Sequence, residues 1–171
     1  YYPYFVRTFP TGFRGEDMLP LEVIQEDWEY IRQVTKRENE SGFPMFMGYE
    51  WQGAGKDGDH NVYYKHNDGQ LHFPMRYKEL VEILKGQGAI GIPHHVAYQL
   101  GHRGKNWDTH DDEFSPFVEI YSSHGSSESD TTPIEMGRHI HMGPRTSNTA
   151  VEAGYSRGHR FGLIASGDNH A

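Results

Sequence analysis

The sequence predicts an α/β fold, a partial and distorted TIM-like β/α barrel with a largely parallel sheet. Short apolar runs recur, and each breaks into side chains of the metal-ligand type. Met45-Phe46-Met47-Gly48-Tyr49 runs into Glu50, Ala89-Ile90-Gly91-Ile92-Pro93 into His94 and His95, Phe117-Val118-Glu119-Ile120-Tyr121 into His124, and Leu163-Ile164-Ala165 into Asp168 and His170. Helical periodicity separates several of these runs, and strands alternating with helices favour parallel pairing. Ligands at the C-terminal tips of strands are where a parallel barrel assembles its site. The runs are too few to close a barrel, so further strands precede Tyr1 or the sheet stays open.

Tyr1 to Leu19 mixes Pro, Gly and aromatics without a period and is expected to be irregular. From Pro20 to Asn39 the apolar positions Leu21, Ile24, Trp28, Ile31 and Val34 fall at helical spacing, with Ser41-Gly42 as the stop. Met45 to Tyr49 is a strand, residues 52–59 a Gly-rich loop, and Asn61 to Lys65 a second strand, a hairpin-like pair that departs from strict alternation. Tyr77, Leu80, Val81 and Leu84 mark an amphipathic helix closed by Gly86 and Gly88. Ala89 to Ile92 is the third strand, His95 to Ser115 a long polar loop, Phe117 to Tyr121 the fourth strand, and 125–130 a Ser-rich loop. A short helix at 134–140, a helix at 147–157 and a strand at Leu163–Ala165 complete the reading. No linker divides the chain, so residues 1–171 form a single domain.

Hydrophobic residues make up 35% of the chain and mean hydropathy is −0.79, so much of it must be solvated. No run is apolar enough to cross a bilayer. A formal charge of −8 with no Lys/Arg stripe argues against general nucleic-acid binding. The absence of cysteine excludes disulfides and thiol catalysis, and with 12 histidines any metal site must be built from His and carboxylate. The chain starts at Tyr1 and stops one residue after its last polar cluster, which reads as a piece of a longer protein whose localisation is not legible.

A carboxylate such as Glu50, directly after an apolar strand, can bridge two ions or simply close a salt bridge. His60 leads into the second strand and either enters the same mouth or lies on the surface. Pro93 restricts the exit toward His94 and His95. Adjacent side chains on extended backbone face opposite ways, so His94 is the expected ligand and His95 a pocket-lining group. Asp168 and His170, at i and i+2, point to one side of an extended segment and can enter one site. Glu119, mid-strand, needs a partner and is expected to support a ligand from behind. His95 and His124 are candidates to orient substrate or transfer a proton. For Arg103 and Lys105 a solvated loop position is expected over anion contact, and His66, His72, His102, His110, His139, His141 and His159 are expected to be surface residues. There is no Gly-x-Ser-x-Gly elbow, no phosphate-binding P-loop and no His-Glu-x-x-His helix.

Gly48-Tyr49-Glu50, His60, Pro93-His94, Val118-Glu119-Ile120 and Gly167-Asp168-Asn169-His170 occur in an order that resembles the polymerase and histidinol phosphatase (PHP) superfamily. Gly48-Tyr49-Glu50-Trp51, Pro93-His94-His95 and Ser166-Gly167-Asp168-Asn169-His170 are similar to its PHP-like branch of bacterial proteins, the DUF3604 family. The resemblance runs from about residue 45 to the end. It implies a distorted seven-stranded barrel that holds two or three divalent ions, zinc, manganese or iron, and hydrolyses phosphoesters. By the same resemblance Glu50 bridges two ions, His60 and His94 complete one, Asp168 serves the other, and His170 serves a third. The superfamily's first-strand His-x-His pair has no counterpart, since no histidine precedes Glu50.

These readings lead to a metal-dependent hydrolase, a phosphoesterase acting through a metal-activated water on a small phosphorylated molecule. Because ligands are missing, turnover of a generic aryl phosphate is expected to be poor. The rival expectations are a metal-binding or scaffold domain without catalysis, and a hydrolase of non-phosphate esters or amides.

Overall fold

The computed structural model describes residues 20–53, 55–134, 136 and 145–168. The expected irregular segment 1–19, nearly all of the short helix expected at 134–140, His139, His141 and His170 lie outside the described residues.

The helix α1 spans Leu21–Glu40, with Pro20 just before its first turn, where a missing N–H costs nothing. Gly42, at φ 92°, supplies the left-handed residue that ends it. Ile24, Trp28 and Thr35 form its buried face, and Trp28 Nε1 donates to Gly69 O at 3.0 Å. Strand β1 (Met47–Trp51) begins two residues later than the apolar run suggests. The Asn39 side chain accounts for this. It takes both backbone groups of Met45, accepting from its N–H at 2.8 Å and donating to its carbonyl at 2.9 Å.

Strand β2 (His60–Tyr64), helix α2 (Tyr77–Leu84) and strand β3 (Ala89–Pro93) follow. The sheet order is β1-β2-β3, antiparallel throughout. Strand β4 (Phe117–Ser122), β5 (Gly125–Ser126), helix α3 (Val151–Ser156) and β6 (Gly162–Ala165) build a second three-stranded sheet, β5-β4-β6, in which only β4 and β6 are parallel. The expected largely parallel, TIM-like β/α barrel is therefore not what the chain forms. It is an α+β arrangement of two small sheets, with no closed barrel among the described residues.

The β2–β3 connection shows why. Tyr64 and Ala89 are register partners, so the connection leaves and returns at the same end of the sheet. Residues 65–76 run the length of the sheet first. At its far end Trp51 Nε1 donates to Pro74 O at 2.9 Å, and the Asp57 carboxylate accepts from Tyr77 N at 3.1 Å and from Arg76 Nε at 2.7 Å. Helix α2 then brings the chain back, and Lys65 N donates to Gly88 O at 2.8 Å. Two passes between strands cancel the direction that a single βαβ crossover would preserve.

Trp28, Met47, Trp51, Val62, Tyr64, Tyr77, Leu80, Leu84, Ala89 and Phe114 pack as the core of the antiparallel half. Truncating an aromatic of this kind to Ala costs about 3–5 kcal/mol. Val96, Trp107, Val118 and Val151 form a second cluster under the mixed sheet. The helix expected at 147–157 shortens to α3 because Thr149 is drawn away from it, its hydroxyl donating to Tyr98 O at 2.7 Å and its carbonyl accepting from Trp107 Nε1 at 3.0 Å.

Candidate metal centre

The two sheets lie side by side at β3 and β4, and their strand ends converge. Antiparallel pairing sets the end of β1 and the end of β3 level with the start of β2: Trp51 pairs with His60, and His60 with Pro93. Glu50 and His94 thereby share one edge. The tips of β4 and β6 are tied by Ser166 N donating to Tyr121 O at 3.1 Å and Ser123 N to Gly167 O at 3.3 Å. This brings His124 and Asp168 to the same place.

His94 is the centre of the group. Its Nε2 lies 3.3 Å from Glu50 Oε1 and its Nδ1 3.4 Å from Asp168 Oδ2. Both ring nitrogens are buried and neither makes a hydrogen bond. His124 Nε2 lies 3.1 Å from Asp168 Oδ2, and His124 Nδ1 2.7 Å from the Tyr98 hydroxyl. His95 Nε2 is 3.5 Å from Asp59 Oδ2. Glu50, Asp59, His94 and His95 offer ligand atoms within 4.8 Å of one another, and so do His95, His124 and Asp168. These groups could hold a divalent ion. Separations of 3.3 Å between Glu50 and His94 and 3.5 Å between Asp59 and His95 match the roughly 3.3 Å edge of a tetrahedron of donors about 2.0 Å from zinc.

The expectation that His94 and His95 face opposite ways fails for a specific reason. His95 has φ 36°, so the chain is not extended there, and the two rings meet at 4.0 Å. Asp168 (φ 48°) and Arg103 (φ 75°) are likewise left-handed. Among the described residues these are the non-glycine residues with positive φ, and all of them belong to this cluster. Strain of this kind collects at functional sites, at about 1–3 kcal/mol each. Glu119 sits behind the cluster as expected, though it holds the backbone rather than a ring. It accepts from His95 N at 3.1 Å and from the Ser166 hydroxyl.

Asp59 and Arg103 are the members that sequence reasoning missed or misplaced. Arg103 is 3% exposed, its Nε donating to Asp59 Oδ2 at 2.6 Å, with Nη2 3.7 Å from Glu50 Oε1. Lys105 is fully buried too. The loop after His95 is not a solvated excursion, because its backbone pairs with the loop after β1. Arg103 N donates to Gly55 O at 2.9 Å and Asn106 N to Asp57 O at 3.2 Å. Gly104 permits this, since a Cβ there would lie 1.8 Å from Tyr98 O. Asp59, a carboxylate between Gly58 and His60 at the end of a Gly-rich loop, was the available signal.

His60 lies at the edge of the cluster but turns away from it. Its Nδ1 donates to Gly58 O at 2.9 Å, its Nε2 faces Lys105 Nζ at 3.1 Å, and its ring stacks on Tyr77 at 4.4 Å. It is not part of any ligand group among the described residues.

Burial pushes the Glu50 carboxyl up, but His94, Gln52 and Arg103 outweigh it and hold its pKa near 2. Asp59 goes the other way: full burial raises it to about 7 despite Arg103. Burial works against a charge on His94, yet Asp168 and Glu50 raise its pKa to about 10. The His94 proton thus sits where the field of the surrounding carboxylates favours a cation. A cleft of about 540 Å³, walled by Ile24, Trp28 and Tyr49, reaches Glu50, Ser166 and Asp168. Among the described residues no helix is long and apolar enough to cross a membrane.

Comparison with protein-family models, with curated proteins and with solved structures finds no match for this chain.

Proposed function

We propose that the chain carries the site of a metal-dependent hydrolase, with phosphoesters as its substrate class and zinc, manganese or iron as its ion. The observation that carries this reading is His94, a buried imidazole with neither nitrogen hydrogen-bonded and a carboxylate facing each. Orphaned buried donors and acceptors are costly unless something pairs them, so the residues fit a bound cation. Glu50, Asp59, His94 and His95 would hold one ion, and Asp168 and His124 would serve beside them. When bound, such an ion polarises a phosphoryl oxygen and activates water near neutral pH.

The chain's own residues supply the rest. The apolar wall of Trp28 and Tyr49 receives the organic part of the substrate and excludes water from the Glu50 end of the cleft. His124, the more exposed of the two candidate proton carriers, is oriented by Asp168 and by the Tyr98 hydroxyl, so its ring is fixed for transfer. His95 is buried and packs between His94 and His124, which suits it to holding the ion rather than to carrying a proton. The PHP resemblance of the ligand motifs supports the same reading.

A second reading, a metal-binding or scaffold domain, is favoured by Arg103, which already neutralises Asp59. The test is hydrolysis of 4-nitrophenyl phosphate and 4-nitrophenyl acetate with added manganese or zinc. Turnover of the phosphate above the metal-ion background, however slow, that is lost in Glu50→Ala and lowered at least tenfold in His124→Gln supports the hydrolase. Retained metal without turnover of either substrate supports the scaffold, and turnover of the acetate alone moves the substrate class to carboxylic esters.

A further inference from the structure

Away from the His94 cluster, His110, Asp112 and His159 bring ligand atoms within 4.8 Å of one another. His110 and Asp112 follow the 3₁₀ turn Trp107–Thr109, and His159 follows α3. His159 Nε2 lies 2.9 Å from Trp107 O. A carbonyl only accepts, so Nε2 carries the proton and Nδ1 of the neutral ring is a bare lone pair. That lone pair faces Asp112 Oδ1 at 3.0 Å, two acceptors in contact.

The His110 side chain is fully buried, with Nε2 3.5 Å from the same Asp112 oxygen. Neither of its ring nitrogens makes a hydrogen bond. The other Asp112 oxygen accepts from Arg160 N at 3.1 Å, which fixes the carboxylate. Trp107 and Phe161, stacked on each other at 5.3 Å, both meet the His110 ring edge-on, at 5.2 and 5.6 Å.

We propose that His110, Asp112 and His159 form a second divalent-cation site of the zinc type. The donor separations of 3.0 and 3.5 Å bracket the roughly 3.3 Å tetrahedral edge. A carbonyl behind His159 is the outer partner that fixes a metal-binding imidazole. Protonating His159 would relieve its contact with Asp112 but leave both His110 nitrogens unbonded, whereas one ion engages all three side chains. Asp112 is 42% exposed, which gives the ion an entry path and leaves an open position on that side. The ion clips the loop after Trp107 to the turn between α3 and β6, a role independent of the hydrolase reading.

Zinc content tests this, with the first cluster disabled by His94→Ala and His95→Ala together, which leaves no more than two members of either ligand group there. After equilibration with zinc and gel filtration, that double variant should keep about one equivalent, and adding His159→Ala should lower zinc affinity at least about tenfold. Asp112→Asn, at an exposed position, serves as a second variant that preserves the fold, checked by metal-free melting. If the double variant does not fold, Asp112→Asn in the wild-type background should remove one equivalent. Equal zinc retention with and without Asp112→Asn, or a folded double variant that binds none, overturns the site.

Discussion

His60 and His94 stand one register step apart on neighbouring strands, are almost completely buried, and have pKa values displaced in opposite directions. Burial, reinforced by Lys105, pulls His60 well below its ordinary value. Burial acts on His94 in the same sense, but the Asp168 and Glu50 carboxylates reverse it. The hydrogen bonds differ in the same way. Both His60 nitrogens are engaged, one by a carbonyl and one by the Lys105 ammonium, whereas neither His94 nitrogen is. A carbonyl on Nδ1 leaves Nε2 of His60 as the lone pair a metal ligand would present, and Lys105 takes it. In one pocket the cation is built in as a side chain; in the other it must be a proton or an ion. Burial alone does not distinguish a ligand from a core histidine, and the charge of its partners does.

The largest expected effect breaks the His60 side. His60→Ala removes the Tyr77 stack and leaves Lys105 buried without its partner. Breaking a buried polar pair by removing one member costs about 3–5 kcal/mol. Because burial already pulls the Lys105 pKa down to about 7, the lower end, about 3 kcal/mol, is expected in urea melts with chelator present. Lys105→Met in the His60→Ala background should recover much of that loss. A loss under about 0.5 kcal/mol for His60→Ala would mean that the pair is not structural.

Metal affinity sharpens the contrast next. His94→Ala should weaken zinc binding by about 100-fold, equivalent to ~2.7 kcal/mol, whereas His60→Ala should change it no more than about threefold. Calorimetric titration of both variants decides it. Equal weakening would return His60 to the ligand set that the family resemblance implies.

The pH dependence of the metal-free protein separates the two pockets further. Between pH 6.5 and 10 the folded state keeps a proton on His94 that the unfolded chain releases. Its stabilisation is therefore complete below pH 6.5 and is lost as pH rises toward 10, at up to about 1.4 kcal/mol per unit. Glu50 works oppositely: with its pKa pulled from 4.5 to about 2, its contribution is present above 4.5 and lost as pH falls toward 2. His60, lowered, contributes above pH 6.5 and loses that contribution on acidification. Lys105, its pKa lowered to about 7, runs the other way and gains stability over the same range as His94 loses it. The fall from pH 7 to 9 should thus appear in chelator-treated Lys105→Met and be offset in the wild type. Zinc-loaded Lys105→Met should lose less, since the cation replaces the proton. Parallel slopes with and without zinc would remove His94 from the ligand set.

Much of the candidate site was legible because strand ends announce themselves. Apolar runs stopping at Glu50, His94, His124 and Asp168 converge, as expected from the sequence. What failed was direction. The run spacing before Ala89 reads as one crossover, but the chain passes the sheet twice, and no local pattern in residues 65–76 reveals that extra pass. Asp59 was overlooked in favour of His60 because residue type suggested the imidazole. Which of two adjacent residues faces the cluster depends on how the loop before β2 meets Arg103. His95 defeated the alternation rule through its left-handed backbone. Arg103 and Lys105 looked solvated because a polar loop gives no sign of packing against another polar loop.

Asp57 gives the smallest expected effect and asks whether the two pockets are mechanically joined. Its buried carboxylate accepts from Tyr77 N, Arg76 and Asn106, so it caps α2 and ties the loop before β2 to the loop carrying Arg103 and Lys105. Burial pushes its pKa up, but these donors outweigh it and the value falls below normal. Asp57→Asn keeps the shape, accepts with one oxygen instead of two, and loses the charge opposite Arg76, which is half exposed and can turn to water. The expected cost is about 1 kcal/mol, that of a weakened N-terminal cap. If the loop only anchors α2, zinc affinity should stay within about twofold of wild type. If Asp57 also sets the position of Asp59 two residues on, affinity should fall by about tenfold while the melt shifts only slightly. Measuring both quantities on the one variant tells whether the His94 cluster is held by its own strands or borrows its geometry from the His60 side.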